Sequence, residues 1–128
     1  DKFNNRKIKL EINIIPKGKE PSVFFKDELM YGLGNIIQNA IQHANSIVKA
    51  DIYWNEAQFK IIINDDGNGF PKEIFDKIGN PYISKNNNGM GLGIFIAKNL
   101  IENIGGSIFC KNEKDDGASV EIIIIRDT

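Results

Sequence analysis

The stretch Ile61–Phe70, IIINDDGNGF, joins an apolar, strand-like run to an acidic turn that is rich in glycine. A carboxylate at the end of a buried strand can accept a hydrogen bond from an exocyclic amine. Glycine lets the backbone approach a flat ring because it has no Cβ. A plain tight turn is the alternative, whereas an EF-hand loop is excluded because its closing glutamate is missing at the required offset. This stretch alone therefore leaves a ligand site and a plain turn both open.

A helix is predicted upstream of this stretch, because apolar residues recur at helical spacing from Asp27 to Ala44. Asp27 either caps this helix or lies in its first turn. At 100° per residue, a second, polar face runs beside the apolar one and consists of Asn35, Asn39, Gln42 and His43. An asparagine amide oxygen is a suitable hard ligand for a magnesium ion that already carries phosphate oxygens and waters. An ordinary solvated helix face remains the alternative.

A second glycine-rich stretch, Gly89–Gly93 (GMGLG), leads into another helical pattern. Glycines at the beginning of a helix expose amide groups where the helix dipole favours anions. A Rossmann fingerprint is excluded because these glycines follow a polar loop and the acidic residue precedes them, and a Walker A loop is excluded because Gly-Lys-Ser/Thr is absent. The motifs His-Arg-Asp and Asp-Phe-Gly are also absent, which excludes the eukaryotic protein kinase fold.

The remaining pattern predicts strands and helices mixed along one chain. Its first segments are a half-buried strand at 8–14, where apolar and polar residues alternate, and a hairpin of strands at 46–54 and 59–64. A short helix from Pro71 through Ile78 and a mobile covering loop at 79–89 follow. The last segments are a helix from Leu92 to Ile104 that stops at Gly105-Gly106, and a final strand pair through Ile108, Cys110 and 120–124. We therefore expect an α+β fold, a two-layer sandwich in which helices cover one face of a mixed, mostly antiparallel sheet.

Composition limits what this chain can be. Its 128 residues are 41% hydrophobic and 26% charged, which predicts one globular domain over residues 1–128. The net charge of −1 provides no general attraction to phosphate backbones, so we expect no nucleic-acid partner. The lone cysteine, Cys110, excludes an internal disulfide and is interpreted as a buried bystander. Because the chain begins in a hydrophilic stretch without a methionine, we expect it to be a piece of a longer protein.

Taken in this order, the motifs resemble the GHKL nucleotide-binding family (gyrase, heat-shock chaperone, histidine kinase, MutL). The stretch 33–44, LGNIIQNAIQHA, resembles its N box, 65–70 its G1 box, 89–93 its G2 box, and Pro81-Tyr82 its F box. The chain is most similar to the catalytic ATP-binding domain of a bacterial sensor histidine kinase, and within that group to the redox-responding RegB/PrrB branch. The resemblance implies the Bergerat fold, with ATP and Mg²⁺ as cofactors.

The resemblance also implies roles for individual residues. Asn39 would bind Mg²⁺, Asn35 would line the phosphates, and Asp65 would accept the adenine amino group. Lys85, in the loop that covers the site, would be the cation at the γ-phosphate and would complete a catalytic set with Asn35 and Asn39. The other implied nucleotide contacts are His43, Gly67, Gly69, Gly89, Met90, Gly91, Leu92, Gly93 and Ser119.

One position separates two activities within the resembled family. Members that hydrolyse ATP carry a glutamate one turn before the magnesium asparagine, and Asn35 stands there, whose amide cannot act as a base. We therefore expect transfer of the γ-phosphoryl group to a histidine on a separate dimerisation domain of the same parent protein, with a response regulator downstream. We expect the chain itself to be a monomer and the cytoplasmic part of a membrane-anchored sensor kinase. The alternatives are an anti-sigma-type serine kinase of the same fold and a non-catalytic, ATP-dependent interaction module.

Overall fold

The structure is a computed structural model that describes residues 7–21, 26–70, 90–112 and 117–126. In these ranges the elements are β1 (Lys9–Pro16), α1 (Asp27–His43), β2 (Ile47–Trp54), β3 (Gln58–Asp65), α2 (Met90–Asn103), β4 (Gly106–Asn112) and β5 (Ala118–Ile125). The strands form one sheet in the order β1-β2-β3-β5-β4. β1 is parallel to β2 and every other neighbouring pair is antiparallel. The mixed, mostly antiparallel sheet is therefore confirmed.

The core lies between this sheet and the two helices. On β3, Phe59, Ile61 and Ile63 are buried while the residues between them are only half-buried, so one face of the strand packs inward. α1 and α2 pack closely where Gly32 faces Ile101, because a Cβ on Gly32 would lie 3.2 Å from the end of that side chain. The two-layer sandwich predicted from the order of elements is confirmed.

The edge strand β1 is more exposed than its alternation predicts. Leu10, Ile12 and Ile14 pair in register with Val48, Ala50 and Ile52 of β2, and so lie on the helix-covered face of the sheet. These three side chains are nevertheless 41%, 54% and 56% exposed. Among the described elements, α1 packs mainly on β2 and β3, and β1 lies at the rim of the area that it covers. The strand and its face were predicted correctly, but the prediction of a half-buried strand was wrong.

Both helices begin close to their predicted positions. Lys26 is the N-cap of α1 and makes no side-chain capping bond, so Asp27 lies in the first turn rather than at the cap. α2 begins at Met90, and Gly105, with φ +84°, follows its last turn. The predicted short helix from Pro71 and the covering loop at 79–89 lie outside the described residues.

Cys110 on β4 is partly buried. Burial raises the pKa of the Cys110 thiol to about 12, which supports its interpretation as an unreactive, packed side chain. Within the described ranges, neither helix has the length and apolar character that crossing a bilayer requires.

Candidate functional site

Asp65 closes β3 on the face that the helices cover, two residues beyond the buried Ile63. Its Oδ1 accepts a hydrogen bond of 2.9 Å from the backbone N–H of Gly67, and the backbone of Ala118 on β5 also hydrogen-bonds to the carboxylate. Burial raises the pKa of Asp65, while these two hydrogen bonds and the neighbouring His43 act in the opposite direction. The end of β3 therefore presents a half-buried carboxylate in a fixed orientation.

The turn after Asp65 packs directly on the end of α1. A Cβ added to Gly67 would clash with the backbone carbonyl oxygen of His43, the last residue of that helix. Only glycine permits this close approach, so the fold itself requires Gly67 whether or not a ring binds beside it. The same contact brings the strand end and the polar face of α1 together.

The turn is also held on its other side by Asn112 and Gly117, neither of which is among the predicted site residues. The side-chain Oδ1 of Asn112, at the end of β4, accepts a hydrogen bond of 2.7 Å from the N–H of Phe70, and its Nδ2 donates one of 3.0 Å to the Phe70 carbonyl. Gly69 has a φ of +83° and lies against the same Asn112 side chain. Gly117, just before β5, leaves no space for a Cβ next to the Asp65 carbonyl. Nothing in the sequence marks Asn112, whereas Gly117 carries the weak signal of an Asp-Asp-Gly turn.

The polar residues predicted on α1 lie on one side of the helix but differ in exposure. Asn39 is 9% exposed and His43 is half-buried, while Gln42 is exposed. Asn35 is half-buried, and its Nδ2 donates a hydrogen bond of 3.1 Å to the Tyr31 carbonyl one turn earlier. His43 lies at the Asp65 end, and Asn35 is about 12 Å away along the helix axis. The face thus leads from the carboxylate along the helix.

Ser119 does not lie where the resemblance implied. It pairs with Asn64 in the register of β3 and β5, and side chains of paired residues share a face. Asp65 is the next residue along β3, so its side chain is on the opposite face of the sheet. Ser119 is buried, but the group that β5 brings to Asp65 is the backbone of Ala118. The Ser119 side chain therefore lies on the sheet face opposite the Asp65 carboxylate, and Ala118 is the β5 residue next to that carboxylate.

The predicted anion-binding glycines lie at the beginning of α2. Residues 90–93 form its first turn, where backbone N–H groups have no partner within the helix and the dipole favours negative charge. A Cβ on Gly93 would meet no atom of the described residues within 4 Å, so packing among them does not require glycine there. The side chains of Met90 and Leu92, and the whole of Lys85 and Gly89, lie outside what the structure describes.

A sandwich whose central strand ends in a held carboxylate beside an asparagine-bearing helix is the arrangement expected of the GHKL class. Over residues 26–128 the chain matches the family described as histidine kinase-, DNA gyrase B-, and HSP90-like ATPase. The chain belongs to this family.

Curated relatives include a sensor histidine kinase and a sporulation kinase. The chain is 35% identical over 127 residues to the sensor histidine kinase RegB of Cereibacter sphaeroides, a match that covers 82% of this chain and 28% of that protein. It is 29% identical over 90 residues to sporulation kinase A of Bacillus subtilis, covering 69% of this chain and 15% of that protein. The chain therefore spans less than a third of the length of these relatives.

Solved structures share the fold. The catalytic domain of the histidine kinase ThkA superposes with a TM-score of 0.70 at 22% identity, covering 97% of this chain and 80% of that one. Full-length ShkA in complex with AMPPNP gives a TM-score of 0.70 at 20% identity, covering 93% of this chain and 26% of that one. At these identities the likeness shows the common architecture.

Proposed function

We propose that this chain binds Mg-ATP, with the adenine amino group donating a hydrogen bond to the Asp65 carboxylate. The observation that carries this proposal is the half-buried Asp65, which backbone groups of Gly67 and Ala118 hold at the edge of the core. A charged acceptor in partly dry surroundings forms a strong and directional hydrogen bond. AMPPNP, an ATP analogue, is bound in the related ShkA structure, which supports the same ligand class here.

The phosphates would lie along the polar face of α1 and at the beginning of α2. Among the described residues, no group of three or more His, Cys, Asp or Glu side chains could hold a metal ion. The nearly buried Asn39 amide instead fits a magnesium ion that brings phosphate and water ligands and needs one protein oxygen. Such an ion would neutralise charge on the transferred phosphoryl group. Asn35 would line the phosphates, and we keep Lys85 as the proposed γ-phosphate cation.

We further propose that the chain is the catalytic domain of a longer sensor kinase and donates the γ-phosphoryl group to a histidine on that protein's dimerisation domain. The relationship to RegB and the amide of Asn35, which cannot activate water as a base, support transfer over hydrolysis. Catalysis would then come from positioning and charge neutralisation. The same proposal includes a downstream response regulator, a cytoplasmic location and a monomeric state of the isolated chain.

Calorimetry with the Asp65→Asn variant tests the adenine contact. We expect native protein to prefer ATP over GTP, because guanine carries a carbonyl oxygen where adenine carries the amino group. Loss of a charged hydrogen bond is worth about 1.5–3 kcal/mol, so ATP affinity should fall roughly 10- to 150-fold. Asp51→Asn is the matched control, because that β2 carboxylate accepts its bond from Asn13 in the neighbouring strand. Equal affinity of native protein and Asp65→Asn would refute the contact.

A second calorimetric series tests the metal role of Asn39. Asn39→Ala should weaken binding of Mg-ATP more than binding of ATP in the presence of EDTA, because the lost amide oxygen serves the ion and not the base. Gln38→Ala, at an exposed position of the same helix outside that polar face, provides the control. Equal losses with and without magnesium would contradict a metal role.

Transfer itself is tested by supplying the parent protein's dimerisation domain with this chain and labelled ATP. Label on the acceptor histidine supports the kinase. ATP binding without transfer would favour an interaction module, and label on serine of a supplied partner would favour an anti-sigma-type kinase.

A further inference from the structure

We propose that Asp66 is a positioning residue that holds the end of α1 and the Asp65 turn in one register, so that the adenine and phosphate contacts stay at a fixed spacing. This inference rests on the proposed nucleotide site. Asp66 itself lies beside that site and acts through the backbone of its neighbours.

The Asp66 carboxylate binds the connection between α1 and β2. Its Oδ1 accepts hydrogen bonds from the backbone N–H groups of Asn45, Ser46 and Ile47, at 2.8, 2.9 and 3.2 Å. Its Oδ2 accepts one of 2.5 Å from the Ser46 hydroxyl. The Asn45 side chain in turn donates a hydrogen bond of 2.8 Å to the Asp66 backbone carbonyl. Asp66 is thus hydrogen-bonded through both its side chain and its main chain to residues 45–47, about 20 positions earlier in the chain.

These donors follow directly after the helix that carries the polar face. Asn45 is two residues past His43, the end of α1, and Asp66 directly follows Asp65. Gly67, the residue after Asp66, also packs against the His43 carbonyl at the end of α1. If the hydrogen bonds of Asp66 to residues 45–47 are lost, the turn and the end of α1 can move apart. The spacing from Asp65 to Asn39 is then no longer fixed.

The charge of Asp66 is well suited to this task. Burial acts to raise the pKa of Asp66, but the hydrogen bonds from the Ser46 hydroxyl and from the backbone N–H groups of residues 45–47 outweigh it and hold that pKa well below its usual range. The Asp66 carboxylate is therefore ionised at neutral pH, and each of these hydrogen bonds is charge-assisted.

The test compares Asp66→Asn with native protein by calorimetry, at a temperature well below the unfolding midpoint of the variant. An amide keeps one acceptor oxygen but turns N–H donors toward the N–H groups of the connection. We expect ATP affinity to fall at least fivefold and the preference for ATP over GTP to shrink. A purely structural loss would lower the unfolding midpoint without changing that preference in the folded protein. Asp51→Asn, as control, should leave both quantities within twofold of native.

A readout without nucleotide separates this proposal from the proposed function. The backbone amide resonance of Ala44, whose N–H bonds to the Ala40 carbonyl at the end of α1, should shift in Asp66→Asn and remain unchanged in Asp51→Asn. An unmoved Ala44 resonance together with ATP binding within twofold of native would overturn the positioning role. If native protein binds no ATP, the proposed function fails, while the Ala44 shift still reports on the hydrogen bonds of Asp66.

A milder variant covers the case in which Asp66→Asn does not fold. Ser46→Ala removes only the hydroxyl donor and leaves the backbone donors in place. We expect a two- to threefold loss of ATP affinity and a smaller shift of the Ala44 resonance than in Asp66→Asn. No change in either would overturn the proposal.

Discussion

Asp65 is a residue that the folded protein maintains at a cost. Burial raises the pKa of its carboxyl, so the ionised form is less stable in the folded chain than in water. A shift of this kind, on a side chain beside other polar groups at an edge of the core, is typical of functional sites. A hydrogen-bond donor on a ligand would stabilise the ionised carboxylate in place of the water that it has lost.

This cost predicts that Asp65→Asn stabilises the unliganded protein at neutral pH. Because the folded pKa is raised, the stability that Asp65 provides is fully present below the unfolded pKa of about 3.9 and is lost as pH rises through the folded pKa. The amide does not titrate, so the variant should unfold at a higher temperature than native protein at pH 7. Its advantage should vanish on acidification below about pH 4. Thermal unfolding followed by circular dichroism at both pH values measures this, and a lower midpoint for the variant at pH 7 would contradict it.

Single residues also show which positions a sequence motif can mark. Asp65 and Asn39 can be found because a motif marks them, and the structure places both beside the core. Asp66 and Asn112 cannot, because their partners lie about 20 and 42 positions away in the chain. The error at Ser119 is one residue long, and in a strand one residue is the difference between two faces.

Whole elements are predicted better than single contacts, because periodicity is a property of many residues. The α1 pattern predicts Asp27–Ala44 and the helix spans Asp27–His43. β1 shows the limit of that method. Its alternation indicates which face is apolar, but burial depends on whether another layer packs on that face. The sequence of a single strand does not show whether such a layer is present.

The uneven cover predicts unequal costs for the same substitution in two strands. Ile61→Ala on β3 should lower the free energy of unfolding by about 2–5 kcal/mol, because that side chain is fully buried. Ile12→Ala on β1, which is 54% exposed, should cost under about 1 kcal/mol. Urea denaturation of both variants measures the difference. Similar losses at the two positions would show that β1 is covered in solution.

At the scale of the molecule, one crossover organises the site. Parallel strands need a connection that returns across the sheet, and α1 is that connection between β1 and β2. It therefore ends beside the start of β2, which is also where antiparallel β3 ends at Asp65. The polar face of α1 and the carboxylate meet for this topological reason. From the sequence, that meeting could be predicted only through resemblance to a family, since strand order is not written in local periodicity.

The same arrangement sends Trp54, the only tryptophan of the chain, to the other end of the sheet. Its indole Nε1 donates a hydrogen bond of 3.2 Å to the Gly18 carbonyl. Trp54 lies six positions along β2, about 20 Å, from the residue paired with Asp65. Intrinsic fluorescence will therefore follow the melting of the sheet while remaining insensitive to an occupant at the opposite end. Tryptophan fluorescence can therefore be used to measure folding of this chain. Ligand binding is better measured with a fluorescent dye attached to the nucleotide.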